Sequence, residues 1–288
     1  MEIDTKLLKP GMVLIEDVNG RNGKPIVPKN TVLTDVQIEF IQKFLIEKVH
    51  IKRTNNVQGN VTKRSILDDK RPMKIFFDEI EDETDTFVKV FREVVEQYKS
   101  LYNSWQANIP VNMYHVRQLC MPLFEQVESI SIEEIRSLII GRERDLFYYK
   151  SVVVSLLAIK LAQTLKYEKK NWLQIGFAAI LIDIGLTKYK PVIDSSQADP
   201  RHPVISYEMI KDEPTLTKHA KLAIIQHHER LDGSGFPLKA TAEKIHPYSR
   251  IIAVADQYVT LYIEYGEAAK IMLQKQTNRF DERIVKLL

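Results

Sequence analysis

The chain has 288 residues, of which 44% are hydrophobic and 27% are charged, with 10 glycines and 12 prolines. This composition excludes collagen-like and low-complexity proteins and predicts that most of the chain folds. The 41 basic and 38 acidic residues leave a formal charge of +3, so we expect no DNA partner. The single cysteine, Cys120, excludes an internal disulfide framework and a multi-cysteine zinc module.

The apolar pattern predicts a cytoplasmic protein without a membrane span. The N-terminal residues lack the apolar core of a signal peptide. The longest apolar stretch, Ile175 to Ile182, ends at Asp183 and is far shorter than the roughly 18 residues that a membrane helix needs.

The first 53 residues have the pattern of a small α/β module. Short β-type runs cover 12–15, 24–27 and 49–52, and Asn22-Gly23 is a turn signal between the first two. Thr34 has the chemistry of an N-cap for a helix that follows it. Residues 54–77 are mostly polar and lack a sustained period, which predicts a linker.

The remainder of the chain has helical spacing of its apolar residues, which predicts a mainly α protein. We divide it into a variable helical region, 78–139, and a second helical domain, 140–288. Ser131 and Glu134 have the spacing of a capping box. The helices predicted from apolar spacing cover 112–127, 145–165, 203–211, 215–230, 247–262 and 266–275.

Histidines and buried-type aspartates are the candidates for chemistry. His227 and His228 are adjacent and precede a tight DGSGFP loop, and His202 lies at a helix start. Asp183 and Asp256 each interrupt an apolar segment, where an ionised carboxylate needs a partner. Imidazoles with a carboxylate suit Zn, Fe or Mn. Spacing alone leaves two alternatives open: a metal or phosphate site, or hydrogen-bonded aspartates beside surface histidines.

Several segments together resemble HD-GYP domains, which are helical bacterial phosphohydrolases. HHERLDGSGFP departs from the family pattern HHExxDGxGYP only at Phe236, which replaces a tyrosine. LIDIG, the RHP around His202, IHPYSRIIAVADQYV and NRFDERIV resemble further family segments, and LKPGMVLIEDV resembles a common N-terminal extension. The resemblance covers about 1–53 and 140–288 and implies an HD-type helical bundle with a small N-terminal α/β module.

The resemblance also implies a site and a reaction. In the family, a cluster of two or three metal ions hydrolyses cyclic di-GMP. The positions that match its ligands are Asp183, His202, His227, His228 and Asp256, with Asp183 also the candidate catalytic residue. The positions that match its ligand-binding or partner-binding segments are Arg250, Asp232, Gly233, Gly235 and Phe236.

Departures from the family pattern fall on one side of this site. Ile182 replaces the histidine of the HD pair, Leu186 replaces a lysine, and Lys150 stands where the family has an earlier metal histidine. Neither isoleucine nor protonated lysine has a lone pair for a metal. We therefore expect either one divalent ion (Fe, Mn or Zn) or none, and a badly weakened phosphodiesterase.

Lys150 shares a helix face with apolar residues, so its ammonium needs an anionic partner. Asp183 and Asp256 are the candidates, and Lys150 would then stand in for a missing cation. The alternative is a lysine that reaches the surface from this face.

Three functions remain open from the sequence. The favoured one is a degenerate HD-GYP domain that acts in signalling by binding a cyclic dinucleotide, a signalling protein at the DGSGFP loop, or both. The second is a residual metal-dependent cyclic di-GMP phosphodiesterase that uses the surviving ligands. The third is an adaptor without a ligand, built from residues 78–139 and the N-terminal module.

Overall fold

The chain forms two compact units, Met1–Pro72 and Met73–Leu288. The predicted linker 54–77, the turn at Asn22-Gly23 and the N-cap at Thr34 lie outside the described residues. The computed structural model describes residues 2–9, 11–19, 25–27, 29, 31, 33, 38, 41, 46, 48–52, 86–139, 145–189, 193–276 and 278–288.

The N-terminal unit contains two short antiparallel strand pairs. Strand β1 (Glu2–Asp4) pairs with β4 (Lys48–His50), and Ile3 lies opposite Val49. Strand β2 (Val18–Asn19) pairs with β3 (Pro25–Val27). The run predicted as a strand over 12–15 forms an isolated bridge from Leu14 to Ile51 instead. The unit has its own small core of aliphatic side chains, in which Leu14 and Ile41 are fully buried.

The described residues of the C-terminal unit form helices joined by loops, with an isolated bridge from Asp232 to Thr241, which confirms the mainly α fold class. Its α-helices are α1 (Thr86–Gln106), α2 (Met113–Phe124), α3 (Ile132–Ser137), α4 (Leu146–Thr164), α5 (Lys169–Leu181), α6 (His202–Ile210), α7 (Lys218–Gln226), α8 (Pro247–Tyr265), α9 (Ala269–Gln274) and α10 (Glu282–Val285).

Side-chain caps determine where several of these helices begin. Asn112 accepts a hydrogen bond from the backbone N–H of Tyr114 at 2.9 Å and starts α2. Ser131 and Glu134 form the predicted capping box of α3. Thr217 likewise accepts from the N–H of Ala220 at 3.2 Å and starts α7, the helix that precedes His227.

Helix α4 lies at the centre of the bundle and packs against α5 and α8. It is apolar on nearly all sides, as a helix surrounded by neighbours must be. By length and composition alone α4 is also apolar enough to cross a membrane, which the sequence prediction did not identify, but 72% of its most apolar window is buried within the protein. Among the described residues no other helix meets this test.

Candidate functional site

Three helix ends bring the predicted ligands together. Asp183 follows the C-terminus of α5, His202 is the first residue of α6, and His227 directly follows α7. Gly185 allows α6 to approach the turn after Asp183, because an added Cβ would lie 2.2 Å from the carbonyl oxygen of His202. Ser206 of α6 joins the same elements, accepting from the N–H of Gly185 at 2.8 Å and donating to the carbonyl of Ile182 at 2.7 Å.

The side chains of Asp183, His202, His227 and His228 form one buried cluster. Each offers a ligand atom, and these atoms all lie within 4.8 Å of one another. Asp183 Oδ1 lies 3.4 Å from His202 Nε2 and 3.6 Å from His227 Nε2, and the two Nε2 atoms are 3.3 Å apart. The other predicted ligand, Asp256, lies outside this four-residue cluster.

Backbone carbonyls orient two of the imidazoles. His202 Nδ1 lies 2.8 Å from the carbonyl oxygen of Asp199, and His227 Nδ1 lies 2.7 Å from that of Ile224. A carbonyl oxygen only accepts, so we assign the proton to Nδ1 in both rings and the lone pair to Nε2. Metal-binding histidines have the same arrangement, in which a second partner fixes the tautomer.

The protonation states make this cluster suitable for a divalent ion. Burial would raise the pKa of Asp183, but hydrogen-bond donation from His202 and His227, whenever their Nε2 atoms carry a proton, and the charge of Lys150 outweigh it and hold the pKa well below its usual value. A metal ion would take the place of those protons on Nε2. Burial and the nearby imidazoles lower the pKa of His228 well below its usual value. An ionised carboxylate therefore lies among lone-pair donors, and these residues fit a metal of the Zn, Fe or Mn type.

Asp256 pairs with Lys150 instead of completing the cluster. Lys150 Nζ lies 2.6 Å from Asp256 Oδ1, and both side chains are about as buried as the core. Lys150 also donates to the carbonyl oxygen of Ile193 at 2.8 Å. The prediction that Lys150 has an anionic partner thus agrees with the structure. The ammonium takes up the Oδ1 atom that Asp256 would have offered to a metal.

The two other substituted positions contribute no ligand atom. Ile182 and Leu186 are both buried in the main apolar core, on either side of the turn that begins at Asp183. Their side chains are hydrocarbon and make packing contacts only. The family pattern has a metal-binding histidine at the position of Ile182 and a lysine at that of Leu186.

The DGSGFP loop packs directly on the histidines. The ring of Phe236 stacks on that of His228 with a centroid distance of 4.7 Å. Gly235 permits this approach, since an added Cβ would lie 2.4 Å from both the Cα of Glu229 and the carbonyl oxygen of His228. Gly233 has a φ of +77°, and Asp232 is an exposed residue that accepts from the N–H of Ser234.

Glu229 anchors the far end of this loop, a role that was missed in the sequence. Its buried carboxylate accepts from the backbone N–H of Leu238 at 2.6 Å and from that of Ala240 at 2.8 Å. The signal was present, because Glu229 is an acidic residue next to two buried-type histidines within a matching motif. The loop is therefore held at both ends beside the cluster.

Arg250, predicted to bind a ligand, has intramolecular partners. Its guanidinium donates to the carbonyl oxygens of Ile245 and Ala242 and lies 3.4 Å from Asp281. It also lines a cavity of about 530 Å³ near Tyr167. The lining of this cavity contains none of the four cluster residues. Arg250 therefore connects the start of α8 to the C-terminal segment.

The HD domain family model matches residues 132–284, which includes all four cluster residues. This stretch is more than half of the chain. The chain belongs to the HD domain family. The resemblance to the HD-GYP type within this family is also confirmed by curated relatives that are named as cyclic di-GMP phosphodiesterases.

Three such relatives illustrate the similarity. This HD domain chain is 28% identical over 162 residues to a phosphodiesterase of Borreliella burgdorferi, covering 54% of this chain and 39% of the relative. It is 32% identical over 120 residues to one of Pseudomonas aeruginosa, covering 38% and 29%. It is 35% identical over 123 residues to a response regulator of Xanthomonas campestris pv. campestris, covering 40% and 32%. The matched part spans about a third of the length of these relatives.

A solved structure shares the fold of this HD domain chain. An HDG"Y"P protein from Bdellovibrio bacteriovorus superimposes with a TM-score of 0.56 at 15% sequence identity, covering 100% of this chain and 97% of that one. At this identity the likeness concerns the fold alone.

Proposed function

We propose that this chain binds one divalent ion and a cyclic dinucleotide, acts in signalling through that binding, and hydrolyses the nucleotide slowly or not at all. The single observation that carries the proposal is the convergence of Asp183, His202, His227 and His228 on one buried point. The relatives named as cyclic di-GMP phosphodiesterases supply the class of ligand.

The residues of the cluster have separable roles in this proposal. A bound ion would supply a Lewis acid for phosphodiester oxygens and an activated water. Asp183, as an ionised carboxylate, provides the charge that holds the ion. His202 and His227 present oriented Nε2 lone pairs, and Phe236 restricts the rotation of the His228 ring by stacking on it.

We expect reduced turnover because Asp256 pairs with Lys150 and is not free to bind a second ion. Two-metal sites stabilise both the attacking and the leaving oxygen of a phosphodiester. A site with one ion stabilises one of them fully. Since each ion contributes several kcal/mol of charge stabilisation, we expect turnover to fall at least about 100-fold below that of a two-metal relative.

The test is binding and hydrolysis of cyclic di-GMP by the purified chain. Isothermal titration in excess Mn²⁺ measures binding, and chromatography of the reaction mixture measures hydrolysis. We expect metal-dependent binding with weak hydrolysis. His227→Ala should abolish binding, whereas His115→Ala, at an exposed histidine outside the cluster, should leave it unchanged. Binding that is equally strong without metal, or absent, would refute the proposal.

The intact set of four donors favours a second candidate, a residual phosphodiesterase that uses the single ion. The same assay separates the two functions. Multiple turnovers in Mn²⁺ or Fe²⁺ that disappear in His228→Ala would establish the enzyme. The absence of both binding and hydrolysis would instead favour an adaptor without a ligand.

A further inference from the structure

A buried ammonium lies beside the metal-type cluster. The Lys150 side chain is 2% exposed and that of Asp256 is 5% exposed, so the ion pair between them is shielded from water. Lys150 belongs to α4, and Asp256 to α8, which packs against it. A lysine that merely reaches the surface is excluded by this burial.

The Lys150 ammonium interacts electrostatically with the four-residue cluster. Burial alone would lower its pKa, but the carboxylates of Asp256 and Asp183 outweigh this effect and raise the pKa above its usual value. The ammonium is therefore charged, and it acts on a carboxylate of the cluster as well as on its own partner. The hydrogen bond to the carbonyl oxygen of Ile193 fixes its place.

The net charge of this region accommodates one divalent ion. Two carboxylates, Asp183 and Asp256, and one ammonium leave a single negative charge when the histidines are neutral. The buried neighbours Glu229 and Arg230 have opposite charges, which cancel. One divalent ion converts this to a single positive charge, which one phosphodiester anion balances. A second divalent ion would place an excess of positive charge in a buried site, at high electrostatic cost.

We propose that the Lys150 ammonium takes the place of a second metal ion: it neutralises Asp256 and limits the site to one divalent ion. This inference rests on the proposed function, because it assumes that the four-residue cluster binds metal. It assigns to Lys150 the role of a positioning residue, which sets how many ions bind and leaves a net charge suited to one phosphodiester.

The experiment is a Mn²⁺ titration of the full chain. Electron paramagnetic resonance of free Mn²⁺ measures how many ions bind, and calorimetry measures the affinity and the melting temperature. The wild type should bind one equivalent. Lys150→His frees Asp256 and offers an imidazole, so a second equivalent should bind and should raise the melting temperature further. Lys160→His is the matched control on the same helix, because Lys160 donates to backbone carbonyls at the surface, and it should bind one equivalent.

A second variant keeps the inference testable if Lys150→His does not fold by circular dichroism. Asp256→Asn leaves the ammonium without its carboxylate, so its charge should oppose the ion and weaken Mn²⁺ binding about 10-fold. A wild type that binds no Mn²⁺ would refute the proposed function. A wild type that binds one equivalent, with unchanged stoichiometry in Lys150→His or unchanged affinity in Asp256→Asn, would refute the role of Lys150 alone.

Discussion

Replacement of Lys150 by methionine tests the energetic role of the buried ion pair. Methionine keeps the length of the side chain and removes its charge, so Asp256 is left as a carboxylate that is 5% exposed. Removing one partner of a buried pair typically costs about 3–5 kcal/mol, because the remaining charge has neither water nor a counter-charge. We expect Lys150→Met to lower the free energy of unfolding by an amount in this range.

The geometry of the pair sets the upper limit of this effect. At the observed separation of 2.6 Å, the attraction is about 6 kcal/mol with an effective dielectric constant of about 20. The cost of removing both charges from water offsets part of it. Asp256→Asn leaves the ammonium with the carbonyl oxygen of Ile193, and should therefore cost somewhat less than Lys150→Met.

Urea denaturation of the two single variants and of Lys150→Met/Asp256→Asn measures the coupling. The double variant leaves neither charge unpaired, so its loss should be smaller than the sum of the single losses by about 2–3 kcal/mol. Lys160→Met, the surface control, should change stability by less than about 1 kcal/mol. Additive losses, or a neutral Lys150→Met, would show that the pair contributes nothing to the fold.

Two further predictions concern the loop and the start of α8. Gly235→Ala places a Cβ 2.4 Å from backbone atoms of Glu229 and His228, so it should cost about 1–3 kcal/mol in urea melts and weaken Mn²⁺ binding, whereas Ser234→Ala should stay within about 0.5 kcal/mol. Burial and the neighbouring His219 lower the pKa of His246 to about 4, and His246 Nδ1 accepts from the N–H of Tyr248. Between about pH 6.5 and 4 the unfolded chain therefore binds more protons than the folded chain, so stability should decrease as the pH is lowered through this window. His246→Asn, which keeps an acceptor but does not titrate, should flatten that dependence; an unchanged slope would refute it.

Local signals in the sequence predicted much of the helical fold. The capping box of Ser131 and Glu134 placed the start of α3 correctly, because capping depends on residues close in the chain. Apolar spacing placed the start of α2 near Asn112, which the structure shows as its cap. The N-terminal unit was harder. Its strands have two or three residues each, and the run around Leu14 pairs through a single bridge, so propensity alone does not determine its pairing.

Within the site, the family motifs identified the residues that lie close together, but not which of them form ion pairs with each other. Asp183 and the three histidines, which only the family resemblance and not their spacing had placed in one site, lie in one cluster. Asp256 was expected as a metal ligand and lies against Lys150 instead, a choice that depends on the packing of α4 against α8. The loop contacts of Glu229 are equally non-local, since the backbone N–H groups that donate to it belong to Leu238 and Ala240, about ten residues further along the chain.

Anomalous X-ray diffraction from crystals soaked in Mn²⁺ tests the single-ion site most directly, because it locates each ion. We predict one anomalous peak, about 2.0–2.3 Å from ligand atoms of Asp183, His202, His227 and His228, with Lys150 Nζ still bound to Asp256. A second peak within ligand distance of Asp256, or no peak among the four donors, would contradict a site built for one divalent ion.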